Sequence, residues 1–247
     1  ESAVFATPGL PDAAFWRAVT RSYPLVARRT PHLLASRLRQ GVPPLLRGRV
    51  WRSLTRSAST HLAPVYPKLL AERSPFDKII VRDLARTFPG VPMFREAGGK
   101  GQRALGRLLR AYAIYDAEVG YCQGLGFLAG PLLMNMPEVD AFCTFVRLLD
   151  SFNLRTMFTP TMSGLHLRLH QLTRLVEMHL PVIHAHFTEH AIPTPLFASQ
   201  WFLTIFAYNY PLPFVLRVWD VAMAEGVAET VLRVGLALLE RNHRRLM

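Results

Sequence analysis

Two short segments hold side chains suited to work on a phosphate: Ile80-x-x-Asp83-x-x-Arg86 and Gly120-Tyr121-Cys122-Gln123-Gly124. An arginine carries a permanent charge and a planar fork of donors that matches phosphate oxygens, and a glutamine amide can both donate to a water and accept from it. Neutralising charge on a phosphate and orienting an attacking water are the two things that phosphoryl transfer to water asks of a protein. Neither residue is informative alone. An arginine one helical turn from an aspartate is most often a solvated ion pair. A bare Tyr-x-Gln is explained as well by a tyrosine capping a core and a glutamine bonding a loop carbonyl.

The elements that must carry these residues are helical. Apolar residues recur at helical spacing in Leu105, Leu108, Leu109 and Tyr112, in Phe142, Phe145, Val146 and Leu149, in Leu165, Leu169, Leu172 and Val176, and in Val231, Val234, Leu238 and Leu239. Strand-like alternation bounded by turn residues is missing, so an all-α fold is expected, with helices cut to one to four turns by proline and glycine. Ile79, Ile80, Leu84 and Phe88 form an apolar stripe, which sets Asp83 and Arg86 one turn apart on another face. Pro89 is expected to end that helix just after Arg86, in a last turn from which a long side chain can project. Gly120 and Gly124 frame the glutamine between two apolar helices, where glycine permits backbone angles other residues avoid and lets another surface come close.

Composition narrows the function classes. The chain has 247 residues, half of them hydrophobic, which is enough for one large core or two packed lobes. Its net charge of +12 invites anionic partners, yet only Lys68, Lys78 and Lys100 are lysines, and the arginines are scattered with no run resembling a nucleic-acid arm. No nucleic-acid partner is expected. Cys122 and Cys143 form neither a disulfide framework nor a metal-binding pair, which suits a reducing, cytoplasmic compartment. The stretch from Ala191 to Val215 is free of charge, but Pro193, Pro195, Pro211 and Pro213 leave an apolar segment of Leu196 to Tyr210, short of the roughly 20 residues a bilayer needs. It reads as a buried helix, and no transmembrane segment is expected. No secretory signal opens the chain, and a start at Glu1 suggests a fragment of something longer.

Gly41-Val42-Pro43 and Arg47-Gly48-x-x-Trp51 upstream, Gly101-Gln102 and Leu105 between the two segments, and Ser199-Gln200-Trp201-Phe202 downstream complete a pattern. In that order, from about Gln40 to the C-terminus, the chain resembles the TBC domain, the GTPase-activating module for Rab-family small GTPases. The resemblance implies two helical lobes meeting in a groove. It places a helical extension over 1–40, packed on the first lobe, and a TBC domain over 41–247 whose catalytic N-terminal lobe runs to about 160 and whose C-terminal lobe covers 161–247. Phe15, Trp16, Tyr23, Leu33 and Leu34 are expected to pack the extension as helices.

The resemblance implies that Arg86 enters the partner's site as an arginine finger and Gln123 as a glutamine finger in trans. Asp83, Tyr121, Gly120 and Gly124 are supports. The domain activates an enzyme without being one: it needs no metal or cofactor of its own, because GTP and Mg²⁺ are bound by the partner GTPase, a Rab in its GTP form. Its place is then cytoplasmic, peripheral to endomembranes, reached through the partner or through flanking segments. Arg47, Gly48 and Trp51 look like a helix-start anchor, and Trp201, Arg217, Trp219 and Asp220 like the second lobe's core and ion pair. The chain departs from many relatives in having Leu125-Gly126 where they carry Met-Asn.

Two other patterns carry less chemistry than they suggest. Gly98-Gly99-Lys100-Gly101 lacks the spacing and the hydroxyl of a nucleotide-binding loop. His186-Phe187-Thr188-Glu189-His190 matches the His-x-x-Glu-His spacing of one zinc peptidase class but lacks an identifiable third ligand. The alternative of a different class is a TBC-like scaffold that binds a Rab or a membrane partner without accelerating hydrolysis.

Overall fold

Proline and glycine punctuation cuts this chain into short helices, most of them ordered by the apolar residues they bury. The structure, a computed structural model, describes residue 5, residues 11–59 and residues 61–247, and among these it contains no β-strand. The chain divides into two compact units, Glu1–Ser151 and Phe152–Met247. The division falls ahead of the break expected near 160.

In the first unit, α1 (Ala13–Arg21), α2 (Tyr23–Arg29) and α3 (Pro31–Gln40) precede α4 (Arg47–Thr55) and α5 (Leu62–Ala71). Helix α1 packs on α4, burying Trp16 and Val19, and the Ser53 hydroxyl donates to the Val19 carbonyl at 2.7 Å. Leu34 is buried as expected, whereas Leu33 is exposed. Arg47 is buried at the start of α4, donating to the Val42 carbonyl at 3.2 Å, and Trp51 lies fully inside.

Next come α6 (Asp77–Leu84), the single turn α7 (Pro92–Arg95), α8 (Lys100–Tyr115), α9 (Leu125–Leu133) and α10 (Glu138–Ser151). Helix α8 is the axis of the unit, packed by α5, α6, α7, α9 and α10. Its face of Leu105, Leu108, Leu109 and Tyr112 is buried, as the spacing predicts, as are Phe142, Phe145, Val146 and Leu149 of α10. Burying such side chains is worth about 1.5–3 kcal/mol each, which holds short helices that would not persist alone. On the polar side of α8, Arg107 makes a two-pronged pair with Glu138 at 2.7 and 2.5 Å, and Arg110 pairs with Asp77 at 2.6 Å.

The second unit holds α11 (Ser163–His179), α12 (Pro181–Glu189), α13 (Thr194–Thr204), α14 (Leu212–Glu225), α15 (Val227–Arg241) and α16 (His243–Leu246). Leu165, Leu169, Leu172 and Val176 are buried along α11. Trp219 is fully buried, and its indole N–H donates to the Ile205 carbonyl at 3.2 Å. The apolar segment expected as one helix from Leu196 to Tyr210 is shorter: α13 stops at Thr204, where Ile205 and Phe206 take φ of 47° and 64°. Leu196 is 75% exposed rather than buried. No helix of the described residues is long and apolar enough to cross a membrane. His186 and His190 do meet edge to face, ring centroids 4.4 Å apart, but among the described residues no three His, Cys, Asp or Glu side chains gather as metal ligands.

Candidate functional site

Helix α6 ends at Leu84, so Arg86 stands in a turn beyond the helix rather than in its last turn, and Pro89 is not what stops it. The backbone tightens to i→i+3 bonds, Arg86 N–H to Asp83 and Thr87 N–H to Leu84, each at 3.2 Å. The Thr87 hydroxyl donates to the Asp83 carbonyl at 2.7 Å, and Phe88 turns to φ 53°. That left-handed residue lets its ring pack between Phe94 and Phe127, at centroid distances of 5.9 and 5.0 Å. Side chain–backbone bonding of this kind competes with the helical ladder and ends it.

The buried face of α6 also differs from the expected stripe. Ile79 is half exposed, and the inward face of the helix is Ile80, Asp83 and the partly buried Leu84, continued past its end by Thr87. An aspartate belongs among apolar side chains only when its oxygens are satisfied, and here both are. Arg86 reaches Oδ1 at 2.6 Å, and the Tyr121 hydroxyl donates to Oδ2 at 2.7 Å. Burial first, and then that hydrogen bond to the carboxylate, push the Tyr121 phenol pKa well above its ordinary value, with the Arg86 charge opposing. One buried carboxylate therefore joins the arginine segment to the glutamine segment. The Asp83 side chain is 6% exposed, while that of Arg86 is 56% exposed.

The glutamine segment is held from both ends. Asp116, just past α8, accepts the Tyr112 hydroxyl at 3.1 Å and the Val119 N–H at 3.3 Å, and its carbonyl takes the Gly120 N–H at 2.7 Å. Gly120 adopts φ 56°, and a Cβ there would lie 2.4 Å from the Phe76 ring, so both the turn and the close approach require glycine. Gly124 adopts φ 113° and opens α9. Between them Tyr121 points inward to Asp83 and Gln123 is exposed. Cys122 is half-buried, and burial raises its thiol pKa.

All six residues singled out in the sequence, Asp83, Arg86, Gly120, Tyr121, Gln123 and Gly124, thus lie in the first unit on two segments tied at Asp83. The divergent Gly126 is part of this packing: a Cβ at that position would stand 3.2 Å from Thr87, next to Arg86. Sequence reasoning did not find Asp116, Thr87 or Phe76. An Asp after a helix and ahead of a glycine is a turn signal that marks the first; nothing in the sequence marks the other two.

The strand-free helical fold of the described residues is that of a known class, and the comparisons identify it. The model for the Rab-GTPase-TBC domain matches residues 44–247. The chain belongs to that family. It is 40% identical to the human ecotropic viral integration site 5 protein homolog over 94% of this chain and 28% of that protein. Against the Saccharomyces cerevisiae GTPase-activating protein GYP5 it is 36% identical, over 96% of this chain and 26% of the other. The chain therefore spans little more than a quarter of these relatives. Among solved structures it resembles a Chlamydomonas flagellar RabGAP TBC domain with a TM-score of 0.76 and 25% identity, covering 96% of this chain and 84% of that one. The Ypt/Rab-GAP domain of GYP1p, at a TM-score of 0.70 and 20% identity, shares the fold.

Proposed function

We propose that this domain accelerates GTP hydrolysis on a Rab-family small GTPase, with Arg86 as an arginine finger and Gln123 as a glutamine finger. The observation that carries the reading is the exposed Arg86 and exposed Gln123 on segments joined through buried Asp83. Relatives named as GTPase-activating proteins, including the Caenorhabditis elegans Rab GTPase-activating protein tbc-11 at 39% identity, support it.

Charge builds on the oxygens of a transferring phosphoryl group, and catalysis there consists mostly of placing counter-charge and aligning the water. Arg86 spends one prong on Asp83 and keeps other N–H donors for phosphate oxygens. Its ion pair restricts the side chain before the partner arrives, which lowers the ordering cost of binding. Gln123, with an amide that both donates and accepts, orients the attacking water. Asp83 and Tyr121 are positioning residues that keep the two side chains in register, and Gly120 and Gly124 permit the backbone path. GTP and Mg²⁺ come with the partner in its GTP form, and the domain contributes no cofactor. It acts in the cytoplasm at the surface of the membrane that carries the partner.

Single-turnover hydrolysis across a panel of purified Rab GTPases, with this chain beside its Arg86→Ala and Gln123→Ala forms, tests the reading. Acceleration on a subset, lost in both variants, is the expected result. Binding without acceleration on every member would instead make this a scaffold.

A further inference from the structure

Two exposed side chains of α6 lead toward Arg86. Ile79 is 50% exposed although Ile80 and Asp83 beside it are buried, and Arg82 is exposed three residues further on. Residues three apart on a helix share a face, and Arg86 follows four residues beyond Arg82 in the tightened turn. Val81 is also exposed, at 60%, but it stands two residues from Ile79 and one from Arg82, spacings that do not share a face. Both acids of α6 are taken, Asp77 by Arg110 at 2.6 Å and Asp83 by Arg86 and Tyr121. Arg82 has no ion-pair or hydrogen-bond partner among the described residues, and neither has the exposed Lys78. The outer side of α6 is therefore apolar and basic, with no carboxylate of its own left to answer the charge.

We propose that Ile79 and Arg82 form a docking edge by which this domain recognises its partner GTPase, meeting an acidic surface that offers an apolar hollow. The proposal rests on the reading of Arg86 as a finger and adds the contacts that select the partner. A helix rises about 1.5 Å per residue, so Arg82 lies roughly 6 Å and Ile79 roughly 10 Å along the chain axis from Arg86. A standard interface covers about 800 Å² of each partner, a patch roughly 16 Å in radius. An arginine that enters a partner's nucleotide site stands inside that patch and not on its border, so the partner also covers Arg82 and Ile79. A lone exposed isoleucine is ordinary on a protein surface. Covered by a partner, one flanked by Lys78 and Arg82 becomes an apolar contact with a charged rim, which is how interfaces are built. Burying the rest of Ile79 holds the complex, while the unpaired charge of Arg82 draws an acidic surface in and turns a basic one away. Ile79 and Arg82 thus act on affinity, and Arg86 and Gln123 on rate.

The test uses the whole chain with the panel of Rab GTPases, loaded with a non-hydrolysable GTP analogue for binding and with GTP for single-turnover hydrolysis. Ile79→Ala should weaken binding about tenfold and raise the domain concentration for half-maximal acceleration by the same factor, while the rate at saturation stays within about twofold. Arg82→Glu should slow association about tenfold at low salt, a difference that narrows as ionic strength rises. Val81→Ala, off that edge, should match the unmodified chain. Circular dichroism and the thermal midpoint establish that each variant is folded. Unchanged binding in Ile79→Ala and Arg82→Glu, with acceleration intact, overturns the docking edge and leaves the fingers standing. So does an equal loss in Val81→Ala. Binding lost in the two variants, where the unmodified chain binds but never accelerates hydrolysis, upholds the docking edge and overturns the fingers. Binding to no member of the panel overturns both.

Discussion

The Asp83–Arg86 pair in the first unit and the Arg217–Asp220 pair in the second are built from the same parts. Each spans three residues, and each sets a partly exposed arginine against a buried aspartate, at 2.6 Å in the first and 3.0 Å in the second. Side-chain exposures differ in degree, 56% for Arg86 and 37% for Arg217. What separates them is the backbone beneath. Arg217 and Asp220 both lie within α14, so the backbone beneath that pair is regular helix. Arg86 stands past the end of α6, and its aspartate takes a second hydrogen bond from the loop that presents Gln123. An ion pair becomes a candidate site when its exposed partner leaves regular structure and stands beside a second presented group.

Removing the arginines should separate the pairs most. Arg86→Ala should lower stimulated hydrolysis by about 10³- to 10⁵-fold, the range of an arginine finger in another GTPase system. Its fold should survive because Asp83 keeps the Tyr121 hydroxyl. Gln123→Ala should be comparable, since both residues complete one constellation. Arg217→Ala should do the reverse, leaving the rate per folded molecule unchanged while costing about 1.5–3 kcal/mol of stability for a hydrogen bond to a buried charge. Single-turnover rates and urea melts on the same preparations decide the matter. A rate loss in Arg217→Ala as deep as in Arg86→Ala would erase the distinction between the pairs.

The shared carboxylate can be tested next. Tyr121→Phe removes one hydrogen bond to a buried charge, so a loss of about tenfold in rate is expected, with binding to the GTPase retained. A double-mutant cycle of Tyr121→Phe with Gln123→Ala should be strongly non-additive if Tyr121 acts only by placing Gln123. Additive losses would mean that the tyrosine acts by another route. Gly120→Ala should strain a left-handed turn and crowd Phe76, costing about 1–3 kcal/mol and lowering the rate through the misplaced glutamine. Pairing it with Phe76→Leu should return part of that loss by relieving the crowding while leaving the strained angle.

The all-helical fold was legible because Leu105, Leu108, Leu109 and Tyr112, and the corresponding residues of α10 and α11, repeat at helical spacing and are buried. The motifs picked out Arg86 and Gln123 as candidates, and both side chains are exposed on segments linked through Asp83. The local geometry was not legible. The expected stripe included Ile79 and excluded Asp83, because an aspartate reads as polar until a partner is known, and that partner, Tyr121, is 38 residues away. The early end of α6 depends on the Thr87 hydroxyl and the rotated Phe88, neither of which is a proline or glycine signal.

A third arginine pair sets the lower limit of the comparison, since it should affect stability alone and only in part of the pH range. Glu138 of α10 accepts from Arg107 of α8 and from the Tyr66 hydroxyl of α5, the latter at 2.6 Å, so it joins three helices. Burial is the largest single influence on its carboxyl and raises the pKa. The hydrogen bonds from Arg107 and Tyr66 and the charge of Arg107 together prevail, holding it below its ordinary 4.5. A carboxyl whose pKa is depressed by folding contributes stability that is fully present above the unfolded value and lost as pH falls through the folded one. The stability gap between the native chain and Glu138→Gln should therefore be flat near neutral pH and shrink in acid below about 4.5. Urea melts of both forms across that range measure it. A gap that widened in acid would mean that folding raises this carboxyl's pKa, making Arg107 and Tyr66 weaker partners than burial.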